Sequence, residues 1–181
     1  MAIGLVALAV LALVRIGMAR LDIPEAIGGD GIRRGRRMPP ADLTDLRGGS
    51  WTIPSGAGHW QLVLFADHSL TSFPSLVDGL HRLRAAQPDL EVLLVSKSPA
   101  DVTAAGVGAL GLNVPILCVD RRFYARCGVR AMPFAIVVDD EGVTRMAGLV
   151  NREEVLAHVW RLATSLPAPP KAKRNLVRAS A

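Results

Sequence analysis

Few residues in this chain are of a type and spacing that could do chemistry. Two cysteines, Cys118 and Cys127, stand nine residues apart. As thiolates either could attack a disulfide or a peroxide. No Cys-x-x-Cys is present, and no Cys/His spacing matches a zinc site, so no metal or cofactor is called for. Cys118 lies among apolar residues and Cys127 closes a short helical piece, with only Arg126 beside it to lower its pKa. Both read as buried, inert thiols acting as small hydrophobes. A disulfide between them needs Cα atoms within about 7 Å, which a strand followed by a helix does not guarantee.

Asp67-His68-Ser69 holds the three side-chain types of a hydrolytic triad. Residues adjacent in a chain rarely converge as orienter, base and nucleophile, and no Gly-x-Ser-x-Gly is present. The plain reading of Ser69 and Ser72 is helix capping. His59, His81 and His158 are scattered and read as surface residues, and Trp51 and Trp60 as core packing.

The elements that would position these groups are legible from periodicity. Gln61-Leu62-Val63-Leu64-Phe65 is a near-continuous apolar run, the mark of a strand covered on both faces. After Ala66-Asp67-His68 comes a helix whose apolar positions, Phe73, Leu76, Val77, Leu80 and Leu83, recur at three and four. The turn Ser69-Leu70-Thr71-Ser72 therefore sits at the carboxyl end of a strand, where open α/β sheets place their chemistry. Upstream, Asp42–Leu46 and Ser50–Ile53 flank Arg47-Gly48-Gly49 as a small hairpin. Downstream, Leu90–Ser96 reads as a second buried strand. Pro99–Leu110 is a helix with Ser98 as its cap, and Val114–Val119 a short strand. Arg121–Cys127 is a helical piece, and Phe134–Val138 turns through Asp139–Gly142 into an antiparallel return, Val143–Gly148. Asn151 would cap a last helix with an apolar stripe of Val155, Val159, Leu162, Ala163 and Leu166. The β-α-β pair requires parallel strands and the late hairpin adds antiparallel ones, giving a mixed sheet with helices on both faces.

The 181 residues, half of them apolar, allow one ordinary domain with appendages. The net charge of +5 belongs to the ends. Residues 1–37 carry six arginines against three acids, and 167–181 carry four basic residues and no acid. The middle, 38–166, is net −2. A nucleic-acid binder carries its basic footprint on the folded body, so nucleic acid is not the expected partner, and anionic lipid fits better. Met1–Val14 is almost wholly apolar, Arg15 interrupts it, and Ile16–Ala19 continues it. A spanning helix needs about 20 apolar residues. A single membrane anchor over 1–19 is the leading reading, ahead of a cleaved signal, which would want a basic segment before the run, and of a soluble amphipathic helix. Residues 20–40, rich in glycine and arginine and without periodicity, read as a linker. The segment 167–181, proline-rich then basic, reads as a disordered tail.

The element order, with several local signatures, resembles the membrane-tethered thioredoxin-like redoxins. These include the thiol-disulfide reductases of cytochrome maturation and the accessory protein of methylamine utilisation. The resemblance covers about residues 38–166. It rests on Pro40 with Asp42–Gly48 and on the apolar strand ending in Phe65-Ala66-Asp67. Its most specific part is Tyr124–Phe134, in which Gly128-Val129 precedes Met132-Pro133. Val138–Gly142 is similar to the family's last hairpin, and Ala147–Glu153 to the methylamine-accessory branch in particular. The resemblance implies a thioredoxin-like domain over 41–166, a cis Met132–Pro133 bond, and a groove beside Pro133 and Met132 for an extended peptide. It also implies an extracytoplasmic position. The arginines that follow the apolar run argue instead for the cytoplasmic side, and the side stays open.

The departure from the family lies in its redox dyad, a Cys-x-x-Cys at the start of the first helix. Aligning Ala66-Asp67-His68 places the dyad on Ser69 and Ser72. Aligning Phe65 with the strand's last aromatic places it on Leu70 and Phe73. Neither register supplies a sulfur. A serine hydroxyl stays protonated without a dedicated base and forms no mixed disulfide. Two functions are then expected to compete: a membrane-tethered accessory module that binds a partner protein during its maturation, and a diverged oxidoreductase using Cys127 or Cys118 as a single thiol.

Overall fold

The computed structural model describes residues 30–55 and 58–168. The apolar stretch expected to anchor the chain, and most of the basic tail, lie outside the described residues. Among those described, no helix is long and apolar enough to cross a membrane.

The central element is β3 (Gln61–Phe65), buried at every position. Because strand side chains alternate, it divides the core in two. Leu62 and Leu64 point into one layer with α1 (Phe73–Ala86) and α4 (Glu153–Ser165). Val63 and Phe65 point into the other with α3 (Arg121–Arg126) and the N-terminal part of the domain. β3 pairs in parallel with β4 (Glu91–Ser96), and β4 with β5 (Ile116–Cys118). On its other side β3 pairs antiparallel with β6 (Phe134–Val138), and β6 with β7 (Thr144–Leu149), giving the order β5-β4-β3-β6-β7. Between β4 and β5 lie α2 (Ala100–Val107) and a 3₁₀ turn, Gly108–Leu110. The hairpin β1 (Ala41–Thr44) with β2 (Ser50–Ile53) flanks the β5 edge through a bridge from Asp45 to Leu117.

The apolar stripe of α1 is buried as its spacing predicts, at Phe73, Leu76, Val77, Leu80 and Leu83. Each such side chain contributes about 1.5–3 kcal/mol on leaving water. The stripe of α4 is rotated from the expected one. Leu156, Val159, Trp160 and Ala163 are buried, while Val155 and Leu162 are half-exposed. Trp160 draws the helix round, since its ring meets Trp60 edge-to-face at 5.7 Å and 78°. The Arg145 guanidinium lies 5.2 Å over the Trp60 ring.

Two expected caps differ. Asn151 lies one residue before the N-cap of α4, which is Arg152. The N-cap of α2 is Pro99, and the Ser98 hydroxyl turns to a different partner, described below.

Residues 30–40 are not a linker but part of the fold. Gly31 N–H donates to the Gly128 carbonyl at 2.7 Å, and Met38 N–H to Gly142 at 3.1 Å. Gly35 donates to the Thr144 carbonyl and Thr144 N–H to Arg36. Arg37 bridges Val143, and Met38 is buried. This strap runs beside the start of β7, joined to it by the Gly35 and Arg36 bonds to Thr144 and by the isolated bridge at Arg37. It has no hydrophobic period because backbone bonds hold it. Arg33–Arg36 closes a tight turn by Arg36 N–H to Arg33 carbonyl at 3.0 Å, and Gly35 supplies the positive φ of 82° that the turn needs at its third residue.

Candidate functional site

The carboxyl ends of β3 and β4 lie side by side, and the segments leaving them meet in a buried polar knot. Asp67, the second residue past β3, is 5% exposed. Its Oδ1 accepts from Ser69 N–H at 3.0 Å and from Ser69 Oγ–H at 2.8 Å. Its Oδ2 accepts from the Ser98 hydroxyl, two residues past β4. Ser98 N–H in turn donates to Ser96 Oγ at 3.2 Å, which lies 3.3 Å from Thr103 Oγ1 on α2. Burial alone pushes the Asp67 carboxyl up. The bonds from Ser98 and Ser69, with the nearby His68, outweigh it and hold the group below the ordinary carboxylate range.

This geometry excludes a hydrolytic set. The Ser69 hydroxyl is aimed at the carboxylate, not at an imidazole. His68 Nδ1 sits 3.5 Å from Asp67 Oδ1 but has no hydrogen bond. The His68 ring instead packs against α2 at Gly106, where a Cβ would come within 2.1 Å of its Cδ2. Only glycine at 106 admits the ring. An ionised, fully engaged carboxylate is also a poor general base near neutral pH.

Ser69 is exposed and Ser72 half-exposed, while Leu70 is half-exposed and Phe73 fully buried in the α1 layer. Ser72 is the N-cap residue of α1, but its side chain makes no capping bond, and Ser69 serves Asp67 instead. The capping expected of both serines is therefore not the role they play. In either register the turn presents hydroxyls or hydrocarbon at the head of the helix.

Both cysteines are free. Cys127 has no exposed surface, and burial pushes its thiol up to about 12, with Arg126 opposing only weakly. A thiol so placed is neither ionised nor reachable near neutral pH. Cys118, at the end of β5 opposite Ser96, is half-buried. Between the two, Tyr124 donates its hydroxyl to the Val95 carbonyl at 3.0 Å. Its phenol is pushed up by burial first and then by the charge of Asp67. The ring meets Phe65 edge-to-face at 5.0 Å within the second core layer.

The Met132–Pro133 bond is cis, and so is Ile53–Pro54, which nothing in the sequence had suggested. Pro133 precedes Phe134, whose partner on β3 is Phe65, so the proline and the Asp67–Ser72 turn share one end of the sheet. Pro133 is buried, and its carbonyl accepts from Val150 N–H at 3.0 Å. Met132 is half-exposed and packs in the second core layer.

Two clefts lie elsewhere. One of about 440 Å³ runs between the hairpin tip at Arg47 and the end of α2, floored by Leu46, Val107, Leu112 and Ile116. The other, of about 370 Å³, lies against Trp60 and Trp160. Neither reaches the turn or Pro133. Among the described residues no group of three His, Cys, Asp or Glu side chains is placed to hold a metal. His59, His81 and His158 are exposed, and Trp51 and Trp60 are half-buried against the two core layers.

Sequence reasoning missed Ser96, Thr103 and Gly106, and it missed the roles of Ser98, read as a helix cap, and of Tyr124. Ser96-Lys97-Ser98 could have been found, because it leaves the strand parallel to β3 at the same edge of the sheet. Gly106 could not, since its role is a contact across the fold.

No protein-family description and no curated protein sequence matches the chain. Solved structures do. The thioredoxin domain of a thiol-disulfide oxidoreductase from Bacteroides vulgatus matches with a TM-score of 0.62 at 15% identity, over 70% of this chain and 97% of that one. A thiol peroxidase from Chromobacterium violaceum matches at 0.59 and 17%, over 74% and 88%. A secreted Mycobacterium tuberculosis disulfide oxidoreductase homologous to Escherichia coli DsbE matches at 0.57 and 16%, over 70% and 96%. The fold is therefore thioredoxin-like, as the resemblance implies. At these identities the likeness establishes the fold and not the activity.

Proposed function

We propose that this chain is a membrane-tethered thioredoxin-like domain that no longer exchanges disulfides and acts as a binding module in the maturation of a partner protein. In this reading Met1–Ala19 is the anchor, and an extended segment of the partner lies beside Met132 and Pro133. The observation that carries it is the turn after β3. At the sheet end where a thioredoxin-like domain would need sulfur, the chain places Ser69 and Ser72, and the one buried carboxylate there is committed to holding the turn. The rival, single-thiol catalysis, loses Cys127 to burial and keeps only the half-buried Cys118.

Two measurements test this. Native protein treated with iodoacetamide across pH 6–9 is expected to leave Cys127 unmodified until it unfolds, and the protein is expected not to reduce insulin. Insulin reduction that disappears in Cys118→Ser or Cys127→Ser would establish the enzyme reading instead. For binding, a photo-crosslinking residue placed at Met132 in membranes of the source cell is expected to yield one dominant protein adduct that the same residue at Asp78, exposed on α1, does not. Equal adducts at both positions, or none at either, would refute the module.

A further inference from the structure

Where α2 ends, the chain leaves a hollow at the β5 edge of the sheet. The 3₁₀ turn Gly108–Leu110 carries it off the helix, and it returns through Leu112 and Val114 into β5. On the other side the β1–β2 hairpin laps over that edge. Leu46 N–H donates to the Ile116 carbonyl at 3.0 Å, and Asp45 bridges Leu117. Between these two walls lies the cleft of about 440 Å³. Val107, Leu112, Val114 and Ile116 are buried beneath it, with Leu46 half-buried beside them.

The wall on the α2 side is bare. Ala104 and Gly108 are exposed there, and a Cβ at Gly108 or Gly111 would meet nothing within 4 Å. Gly108 has a helical φ of −57° and ψ of −37°, which any residue adopts and at which alanine is the better helix former. Neither its backbone nor its neighbours ask for glycine. What the missing side chain leaves is the open side of the cleft.

The rim is polar and positive. Asp45, the acid among the lining residues, is spent on the hairpin. Its carboxylate accepts from Arg47 N–H at 2.8 Å, Gly49 N–H at 2.7 Å and the Trp51 indole N–H at 3.0 Å. The Arg47 guanidinium donates to Asn113 Oδ1 at 3.1 Å, and Arg84 donates to the backbone carbonyl of the same Asn113. The other guanidinium N–H groups of Arg47 and the side-chain N–H groups of Asn113 have no hydrogen-bond partner among the described residues. A planar fork of donors, anchored beside hydrocarbon, matches a carboxylate on an apolar body.

We propose that this cleft binds a small carboxylic acid bearing one ring or a short hydrocarbon chain, with its carboxylate on Arg47 and Asn113 and its apolar part against Val107, Leu112 and Ile116. At about 440 Å³ the cleft sits low in the range of roughly 300–1,000 Å³ for small-molecule sites, with room for one such group and not for a length of peptide. A cation of the same size is disfavoured, because at the rim two arginines meet one committed acid.

The test is a titration of full-length protein, labelled at its Ile, Leu and Val methyl groups, with 3-phenylpropanoate at pH 7, followed by NMR. The Val107, Leu112 and Ile116 methyl signals are expected to shift together and to saturate with a Kd on the order of 1 mM or below, the affinity that about eleven heavy atoms give at ordinary ligand efficiency. Leu149, on β7 at the opposite edge of the sheet, should not move. 3-Phenylpropanamide keeps the ring and loses the charge, and is expected to bind at least about fivefold more weakly. Arg47→Gln should weaken the acid about tenfold and remove most of its advantage over the amide. Gly108→Leu, which the helical backbone allows, should fill the cleft and abolish the shifts while leaving the unfolding midpoint no lower. No shift at about 10 mM acid, equal affinity for acid and amide, an unaltered affinity in Arg47→Gln, binding retained in a folded Gly108→Leu, or binding about tenfold tighter to a tetrapeptide ending in phenylalanine would each overturn the assignment.

Discussion

Two turns in this domain are each organised by a buried aspartate, and they differ in what the aspartate ties together. Asp139, at the carboxyl end of β6, accepts from Glu141 and Val143 N–H at 3.0 and 2.9 Å and faces Arg145. These partners lie within six residues, in a hairpin that any antiparallel sheet could use. Asp67, at the carboxyl end of β3, accepts from Ser69 twice and then from Ser98, thirty-one residues away. The first turn is local and charged, the second a clasp between two segments leaving parallel strands. The contrast teaches that the same side chain shapes a loop at one pole and, at the other, immobilises the region where an α/β sheet would place moving parts of a site.

That contrast can be broken by substitution. The largest effect is expected from Arg145→Met. Arg145 is 8% exposed, donates to the Leu166 carbonyl at 2.6 Å and pairs with Asp139. Its loss leaves a buried carboxylate facing hydrocarbon, at about 3 kcal/mol in urea unfolding. Asp67→Asn should follow at about 2 kcal/mol, since an amide oxygen cannot serve all three donors. If Asp67→Asn were the more damaging of the two, the Ser98 clasp rather than the Arg145 pair would be the mainstay of the fold.

Asp67 also predicts an acid limb. Its carboxyl is held below its unfolded value of about 3.9, so its contribution is complete above roughly pH 4 and disappears as the pH falls through the folded value. Stability plotted against pH should therefore fall less steeply below pH 4 in Asp67→Asn than in the parent. Parallel curves would show that Asp67 is not the group responsible.

Ser98→Ala is expected to cost about 1 kcal/mol. Hydrogen exchange should quicken at Ser69 and Leu70 but not at Glu141 or Val143. Exchange quickening at both turns would show that they are not independent.

The smallest effect on stability, and the sharpest on chemistry, is expected from Ser72→Cys in a Cys118→Ser background. The thiol would stand at the N-cap of α1 and should ionise below its ordinary value of about 8.5, because the unpaired amides of the helix favour the thiolate. Its alkylation rate against pH would then lie far from that of Cys127, whose thiol is pushed up to about 12. An unshifted Ser72→Cys thiol would show that the turn has lost the electrostatics of a redox turn along with the sulfur.

Much of the fold was legible in the residues, for physical reasons. β3, β4 and β6 are continuous apolar runs because both faces are covered, and the α1 stripe is strict because one face meets the core. α4 was read one residue out of phase, since Val155 and Leu162 fit a helical period nearly as well as Leu156 and Trp160. Only the Trp60 contact decides between them. The strap was illegible because hydrogen bonds leave no trace in hydrophobicity. At the site, the absence of sulfur at Ser69 and Ser72 was plain from the sequence. The clasp was not, because a serine in a loop reads as a cap until the strand beside it is known.

The strap has a consequence for reach. With Met1–Ala19 in a bilayer, as proposed, the chain is bonded to the folded body no later than Gly31, so at most residues 20–30 separate the two, where a linker running to residue 40 would be about twice as long. Fully extended, the shorter span reaches about 35 Å rather than about 70 Å. The volume the domain explores shrinks to roughly an eighth, and its effective concentration at the membrane surface rises in proportion. A partner must come to within that radius of the bilayer, which favours clients that are themselves in the membrane or emerging from it.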